Sequence, residues 1–202
     1  MAVYTKISKR DIFFINKKFD IENLINFKGI KKGIENTNYL LKSKNNKFIL
    51  TIFEKRVLKK DVPFFMELMD QLSDLKINCP KPFKNKDGKF LIKLKNKTAC
   101  IVSFIKGKDK KNLNYKNCYD VGRVVALMHS SSKKINLYRN NSMGIKKLTP
   151  LINKINFKSG KYKNLEKFVK INYQDIKKNW PKKLPNGIIH GDLFIDNIFF
   201  RN

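Results

Sequence analysis

Near the end of the sequence, Ile188 to Phe199 reads Ile-Ile-His-Gly-Asp-Leu-Phe-Ile-Asp-Asn-Ile-Phe. Apolar Ile188 and Ile189 lead in, and Ile198, Phe199 and Phe200 lead out. Between them stand His190, Gly191, Asp192, Asp196 and Asn197. A plain turn needs only Gly, Asn or Asp to bend the backbone. It has no use for a carboxylate and an amide carbonyl five residues apart beside an imidazole. The stretch therefore reads as a polar catalytic loop held between two short buried strands.

The spacing His-x-Asp-x-x-x-x-Asn matches the catalytic loop of protein kinases, in which the Asp receives the substrate hydroxyl and the Asn holds Mg²⁺. Gly191 stands where most protein kinases carry Arg. His-Gly-Asp-x-x-x-x-Asn instead resembles the small-molecule kinases of the aminoglycoside phosphotransferase and choline kinase superfamily.

Composition limits what can surround this loop. A chain of 202 residues with 42% apolar and 12% aromatic content is long enough and apolar enough for a real core, in one domain or two lobes. The net charge of +29 points first to nucleic acid or an anionic surface. Yet all but five of the 45 basic residues are Lys, spread along the chain among many Asn and Ile, a bias that resembles the mark of an AT-rich genome. Dedicated phosphate and base readers favour Arg, whose planar fork bonds bidentately, so no specific nucleic-acid partner is expected. Cys79, Cys100 and Cys118 are odd in number and far apart, which suggests buried, reduced thiols. With His129 and His190 as the only histidines, a zinc site lacks ligands. No apolar run approaches the roughly 20 residues of a membrane span, and no signal-peptide core opens the chain. A cytoplasmic location without a membrane partner is the default.

The elements that must position the loop follow in order. Ser8-Lys-Arg-Asp11 has capping-box form before an apolar run, which predicts a helix over about 9–17. Tyr39-Leu-Leu41 and Phe48–Phe53 flank an Asn45-Asn46 turn as a hairpin. Asp61 and Pro63 start a helix with Phe64, Phe65, Leu68, Met69, Leu72 and Leu75 on its apolar face; Glu67 within it reads as a solvated surface residue. Asp87-Gly88 predicts a hairpin between Pro82-Phe83 and Phe90–Leu94, and Thr98–Ile105 a buried strand. Beyond Gly107, a helix ends near His129 with Cys118, Val121, Val125 and Met128 on one face, His129 reading as a packing or C-cap residue. Residues 131–162 read as loop with short helices, and Leu165, Phe168, Val169, Asn172 and Ile176 mark another helix.

Several whole phrases resemble bacterial homoserine kinases of the aminoglycoside-phosphotransferase-like type. They include Phe27–Tyr39 with its Glu-Asn-Thr-Asn, Phe48–Lys55 with Leu-Thr-Ile-Phe-Glu, Val62–Asp70, Cys79–Pro82, Val121–His129 and His190–Asn197. The resemblance implies an α+β, protein-kinase-like bilobal fold. Its small lobe, residues 1–105, holds an antiparallel sheet plus a helix. Its large lobe, residues 106–202, is mainly helical and truncated. It implies ATP and Mg²⁺ as cofactors and transfer of phosphate to the hydroxyl of L-homoserine, on the way to threonine. Asp192 would deprotonate that hydroxyl, His190 brace the loop and Asn197 bind Mg²⁺. Gly33, Asn36 and Asn38 would cover the phosphates, and Thr51 occupies the strand position where related kinases carry Lys. Ser103 and Ile105 belong to the hinge, Ser103 to Lys106, that would take the adenine. Thr51 leaves the phosphates without a named cation, with Lys55 or Arg56 as stand-ins. The second metal-binding Asp that such kinases place soon after the loop has no counterpart here. The chain thus reads as the N-terminal part of a longer enzyme, and these 202 residues by themselves are expected to be nearly inactive. A kinase for choline, an aminoglycoside or another small alcohol remains an alternative, as does a non-catalytic kinase-like chain or a basic nucleic-acid binder. Oligomeric state is not legible.

Overall fold

The computed structural model describes residues 3–33, 35–54, 58–142, 144–158 and 160–201. They separate into two compact units, residues 1–137 with 187–202, and residues 138–186.

In the first unit, helix α1 (Lys9–Lys18) begins where expected. The Ser8 backbone N–H and its hydroxyl both donate to Asp11 Oδ2, each at 2.7 Å, which ties the cap residue to the first turn. Strands β1 (Asn26–Gly29), β2 (Thr37–Lys42), β3 (Lys47–Ile52), β4 (Leu91–Leu94) and β5 (Lys97–Ser103) form one antiparallel sheet among the described residues, in the order β1-β2-β3-β5-β4. The β2–β3 hairpin turns at Asn45 and Asn46 as predicted. Glu22 holds it, accepting from the Asn45 and Asn46 side-chain amides at 2.9 and 2.7 Å.

Period-two alternation divides the apolar residues between two cores. Leu41, Leu50, Ile52, Ala99 and Ile101 face Ile12 and Ile15 of α1 on one side. Cys100 and Val102 face Val62 and Met66 of α2 (Val62–Asp74) on the other. Pro63 lies in the first turn of α2 as expected. Asp61, however, belongs to a preceding 3₁₀ turn, Lys59–Asp61, and makes no capping bond. Residue 61 is already helical there, so its side chain does not reach back over the first N–H groups. Val62, Met66 and Leu72 are the buried positions of α2, and Glu67 is exposed.

The hairpin around Asp87-Gly88 is half right. Gly88 does turn the chain at φ +74, with its N–H bonded to Asn85 O at 2.9 Å. Its two arms, though, pair with β5 rather than with each other: Phe83 N–H donates to Ile101 O, and Leu91 opposes Cys100. The hairpin that forms is β4–β5, through Lys95 and Asn96, both at positive φ as a type I′ turn requires.

Helix α3 (Tyr115–Ser132) extends a turn past the position expected for its end, so His129 lies inside the last turn. Val121, Val125 and Met128 are half-buried, but Cys118 is exposed, against the expectation of buried thiols. The inner side of that first turn is taken instead by Asn117, whose N–H donates to Asn114 Oδ1 at 2.9 Å in the helix cap. Burial does push the Cys100 thiol up to about 12 and that of Cys79 to about 11.

The second unit contains α4 (Leu148–Ile152) and α5 (Glu166–Lys178) joined by loops and single 3₁₀ turns, as expected for this segment. None of its described residues is buried. Among the described residues, no helix is long and apolar enough to cross a membrane.

Candidate active site

The catalytic-looking stretch is not flanked by strands. Ile189 is 65% and Phe199 55% exposed. Phe200 makes an antiparallel bridge with Lys108, each N–H donating to the other's carbonyl at 2.9 to 3.0 Å. This corrects the expected pair of buried strands: an apolar run becomes a strand only where a neighbour offers backbone partners, and here Phe200 meets one. Gly107 permits the approach, since a Cβ there would stand 3.0 Å from Phe199 Cβ and Phe200 O. The chain after the hinge therefore lies directly against the exit of the loop.

Inside the loop the polar groups are brought together. Gly191 sits at φ +74, a left-handed conformation that glycine adopts without strain. The turn it makes lets the Asp192 N–H donate to His190 Nδ1 at 3.3 Å. Asn197 closes a single 3₁₀ turn, Ile195–Asn197. Its Nδ2 donates to the Asp192 carbonyl at 2.9 Å and to Asp192 Oδ2 at 3.0 Å. With the amide nitrogen committed, Asn197 Oδ1 and Asp192 Oδ1 have no partner among the described residues. Asn197 Oδ1 is a hard oxygen donor, the type that suits a hard cation such as Mg²⁺, and Asp192 Oδ1 is open to accept a proton.

The sheet supplies a second group. Gly33, at φ +101 with open space where a Cβ would point, lies in the loop between β1 and β2. Asn38 and Thr51 are register partners, and Thr51 Oγ1 donates to Asn38 Oδ1 at 2.8 Å. Asn36 Oδ1 accepts the Glu54 N–H at 3.2 Å. Both amides thus spend their acceptors on the neighbouring chain, and neither Nδ2 has a partner among the described residues. A surface with acceptors used and donors free suits an anion. Lys32, immediately before Gly33, pairs with Asp109 in the linker beyond the hinge, and holds that carboxyl below its ordinary range. Lys55 and Arg56 lie outside the described residues.

In the hinge, the Ser103 N–H is bonded to Lys81 O at 2.8 Å, and its hydroxyl accepts the Lys81 N–H at 2.9 Å. Ile105 is half-buried, and of these two it is the one whose backbone groups are left without a partner among the described residues. Among the described residues, no hydrogen bond joins the sheet group to the catalytic loop.

Sequence reasoning missed Glu54 and Lys97. Glu54 Oε1 accepts the hydroxyls of Thr5 and Thr37, each at 2.7 Å, while Oε2 pairs with Lys97. Burial raises the Glu54 carboxyl, but the bonds from Lys97, Thr5 and Thr37 outweigh it and hold it below its ordinary value. The available signal was a Glu closing an apolar strand, which has to find partners when it is drawn under the sheet.

Residues 26–202 match the model of the phosphotransferase enzyme family, and the chain belongs to that family. Homoserine kinase of Rhizobium rhizogenes is 35% identical over 201 residues, and that of Paramagnetospirillum magneticum 37%. Each alignment covers 99% of this chain, and the chain spans 62 to 63% of those proteins' length. The fold resembles that of spectinomycin phosphotransferase APH(9)-Ia in complex with ADP and spectinomycin, at TM-score 0.63, 15% identity, 98% of this chain and 67% of that one. It also resembles a microcompartment-associated aminopropanol kinase at TM-score 0.67, 16% identity, 96% of this chain and 64% of that one. The α+β, kinase-like architecture is therefore shared with phosphotransferases at low sequence identity.

Proposed function

We propose that the chain carries the nucleotide-binding sheet and catalytic loop of an ATP-dependent kinase acting on the hydroxyl of L-homoserine. The observation that carries this reading is the pair of hydrogen bonds from Asn197 Nδ2 to Asp192, which holds a carboxylate and an amide oxygen in one fixed arrangement. The substrate follows from the relatives, whose likeness runs the length of the chain. Asp192 accepts the proton as the hydroxyl oxygen bonds to the γ-phosphorus and the bond to the β-phosphate oxygen breaks, leaving ADP. His190 accepts the Asp192 N–H and so braces the turn rather than taking the proton. Asn197 Oδ1 would hold Mg²⁺, which when bound neutralises phosphate charge, while Asp192 Oδ1 is left for the hydroxyl proton. Asn36 and Asn38 present N–H donors to the phosphates near Gly33, Thr51 fixes Asn38, and Ile105, with Ser103 before it, meets the adenine. The lobe boundary at 105/106, a cytoplasmic location and a role in threonine synthesis belong to the same proposal.

The test is ADP release by the purified protein with Mg²⁺ and ATP, offered L-homoserine, choline or an aminoglycoside in turn. Turnover that is slow, as expected of these 202 residues by themselves, but confined to homoserine is the expected result. Turnover of another alcohol instead would move the assignment to a sister kinase. Nucleotide binding without any turnover would favour a non-catalytic chain.

A further inference from the structure

Two phrases of the sequence, Glu35–Asn38 and Leu50–Glu54, stand out without their parts having all received a role. The structure makes them one unit. Asn36, Thr37 and Asn38 are each bonded to Thr51 or Glu54: Asn36 Oδ1 takes the Glu54 N–H, the Thr37 hydroxyl donates to Glu54 Oε1, and Asn38 Oδ1 takes the Thr51 hydroxyl. Thr37 is fully buried, and Asn38, next along β2, alternates to the other side of the sheet. Glu54 thus holds the start of β2 twice, through its backbone N–H at Asn36 and its carboxylate at Thr37.

The grip is itself anchored. Thr37 Oγ1 accepts the N–H groups of Tyr4 and Thr5 at 2.9 and 3.1 Å, and Lys97 Nζ donates to Thr5 Oγ1 at 2.7 Å while pairing with Glu54. The Glu54 side chain is only 10% exposed. A charge so enclosed adds little net stability over an apolar packing of the same volume. What it does add is direction, because every hydrogen bond to it is geometrically fixed.

We infer that Glu54 is a positioning residue for the nucleotide. Its carboxylate bond to the Thr37 hydroxyl fixes the start of β2 and so keeps Asn36 Oδ1 on the Glu54 backbone N–H, with the Asn36 N–H donors toward the phosphates of a nucleoside triphosphate beside those of Asn38, which Thr51 holds. The inference rests on the nucleotide-binding reading above, and the experiment separates the two.

MgATP is titrated calorimetrically into the wild-type chain, Glu54→Gln, Asn36→Ala and the double variant, with urea unfolding of each. Glu54→Gln is expected to weaken MgATP binding about tenfold while the protein stays folded. In the Asn36→Ala background the same change should cost less than about twofold, because residues in one hydrogen-bond network are non-additive. Once turnover is measurable, the loss should appear in KM for ATP and not in kcat. Additive effects, or unchanged affinity with a lowered urea midpoint, overturn the inference and leave Glu54 a structural residue. Wild-type protein that fails to bind MgATP overturns the nucleotide reading and this inference with it. Should Glu54→Gln not fold, Lys97→Gln takes its place in the cycle with the same expected coupling and the same overturning result.

Discussion

Helices α2 and α5 are each 13 residues long and each carries an apolar stripe at helical spacing. α2 buries Val62, Met66 and Leu72, against Cys100 and Val102 of β5 among others. α5 buries nothing, and its Phe168 is 67% exposed. α2 is the more apolar of the two in sequence, and the company each helix keeps widens the difference. A sheet with alternating apolar residues gives α2 a surface to pack on, and the unit of residues 138–186 contains no strand among its described residues. Helix formation needs only local hydrogen bonds and periodicity; burial needs a second element with a complementary face. The groups proposed for chemistry follow the same division, since all of them belong to the unit with the core.

Asp192→Ala offers the largest effect by which to break this comparison. It should lower turnover on the order of 10³-fold, as expected for loss of a general base, with MgATP affinity nearly unchanged by calorimetry. Lys170→Ala in the second unit should change neither, and a comparable loss there would remove the chemistry from the first unit. Next, Leu50→Ala, at a fully buried position, should lower stability by about 2–5 kcal/mol in urea unfolding.

The Glu54 carboxyl adds a pH signature. Its folded pKa lies below its ordinary 4.5. Its contribution is therefore fully present above about pH 4.5 and is lost as pH falls through the lower folded value. Urea midpoints measured from pH 6 down to 3 should drop less steeply in Glu54→Gln than in the wild type; parallel curves would show that the carboxylate is not protected. Gly33→Ala should cost about 1–2 kcal/mol, because φ +101 strains any residue with a Cβ even where space is open. The smallest effect is expected at Phe168→Ala, within about 0.5 kcal/mol by the same unfolding measurement. A loss of several kcal/mol there would mean that α5 is packed after all, and the contrast with α2 would fall.

Much of this was legible because it is local. The Ser8–Asp11 cap, the Asn45-Asn46 turn, Pro63 in the first turn of α2 and the period of α5 each follow from residues within one or two turns of each other. So does the spacing of His190, Asp192 and Asn197, because a five-residue loop with Gly191 at its bend leaves few ways for the Asn197 amide to close back on Asp192. The sequence by itself determined which groups could do chemistry and which segments would be helical. Only the tertiary structure decided which arms of the Asp87-Gly88 turn pair with β5, and that Ile189 and Phe199 stay outside any strand. It also decided that Cys118 faces solvent and that Thr5, Thr37, Glu54 and Lys97 meet. Those outcomes depend on partners up to 92 residues away along the chain, as in the Lys97–Thr5 bond. Pairing, burial and charge compensation are properties of two surfaces meeting, and neither surface alone encodes the other.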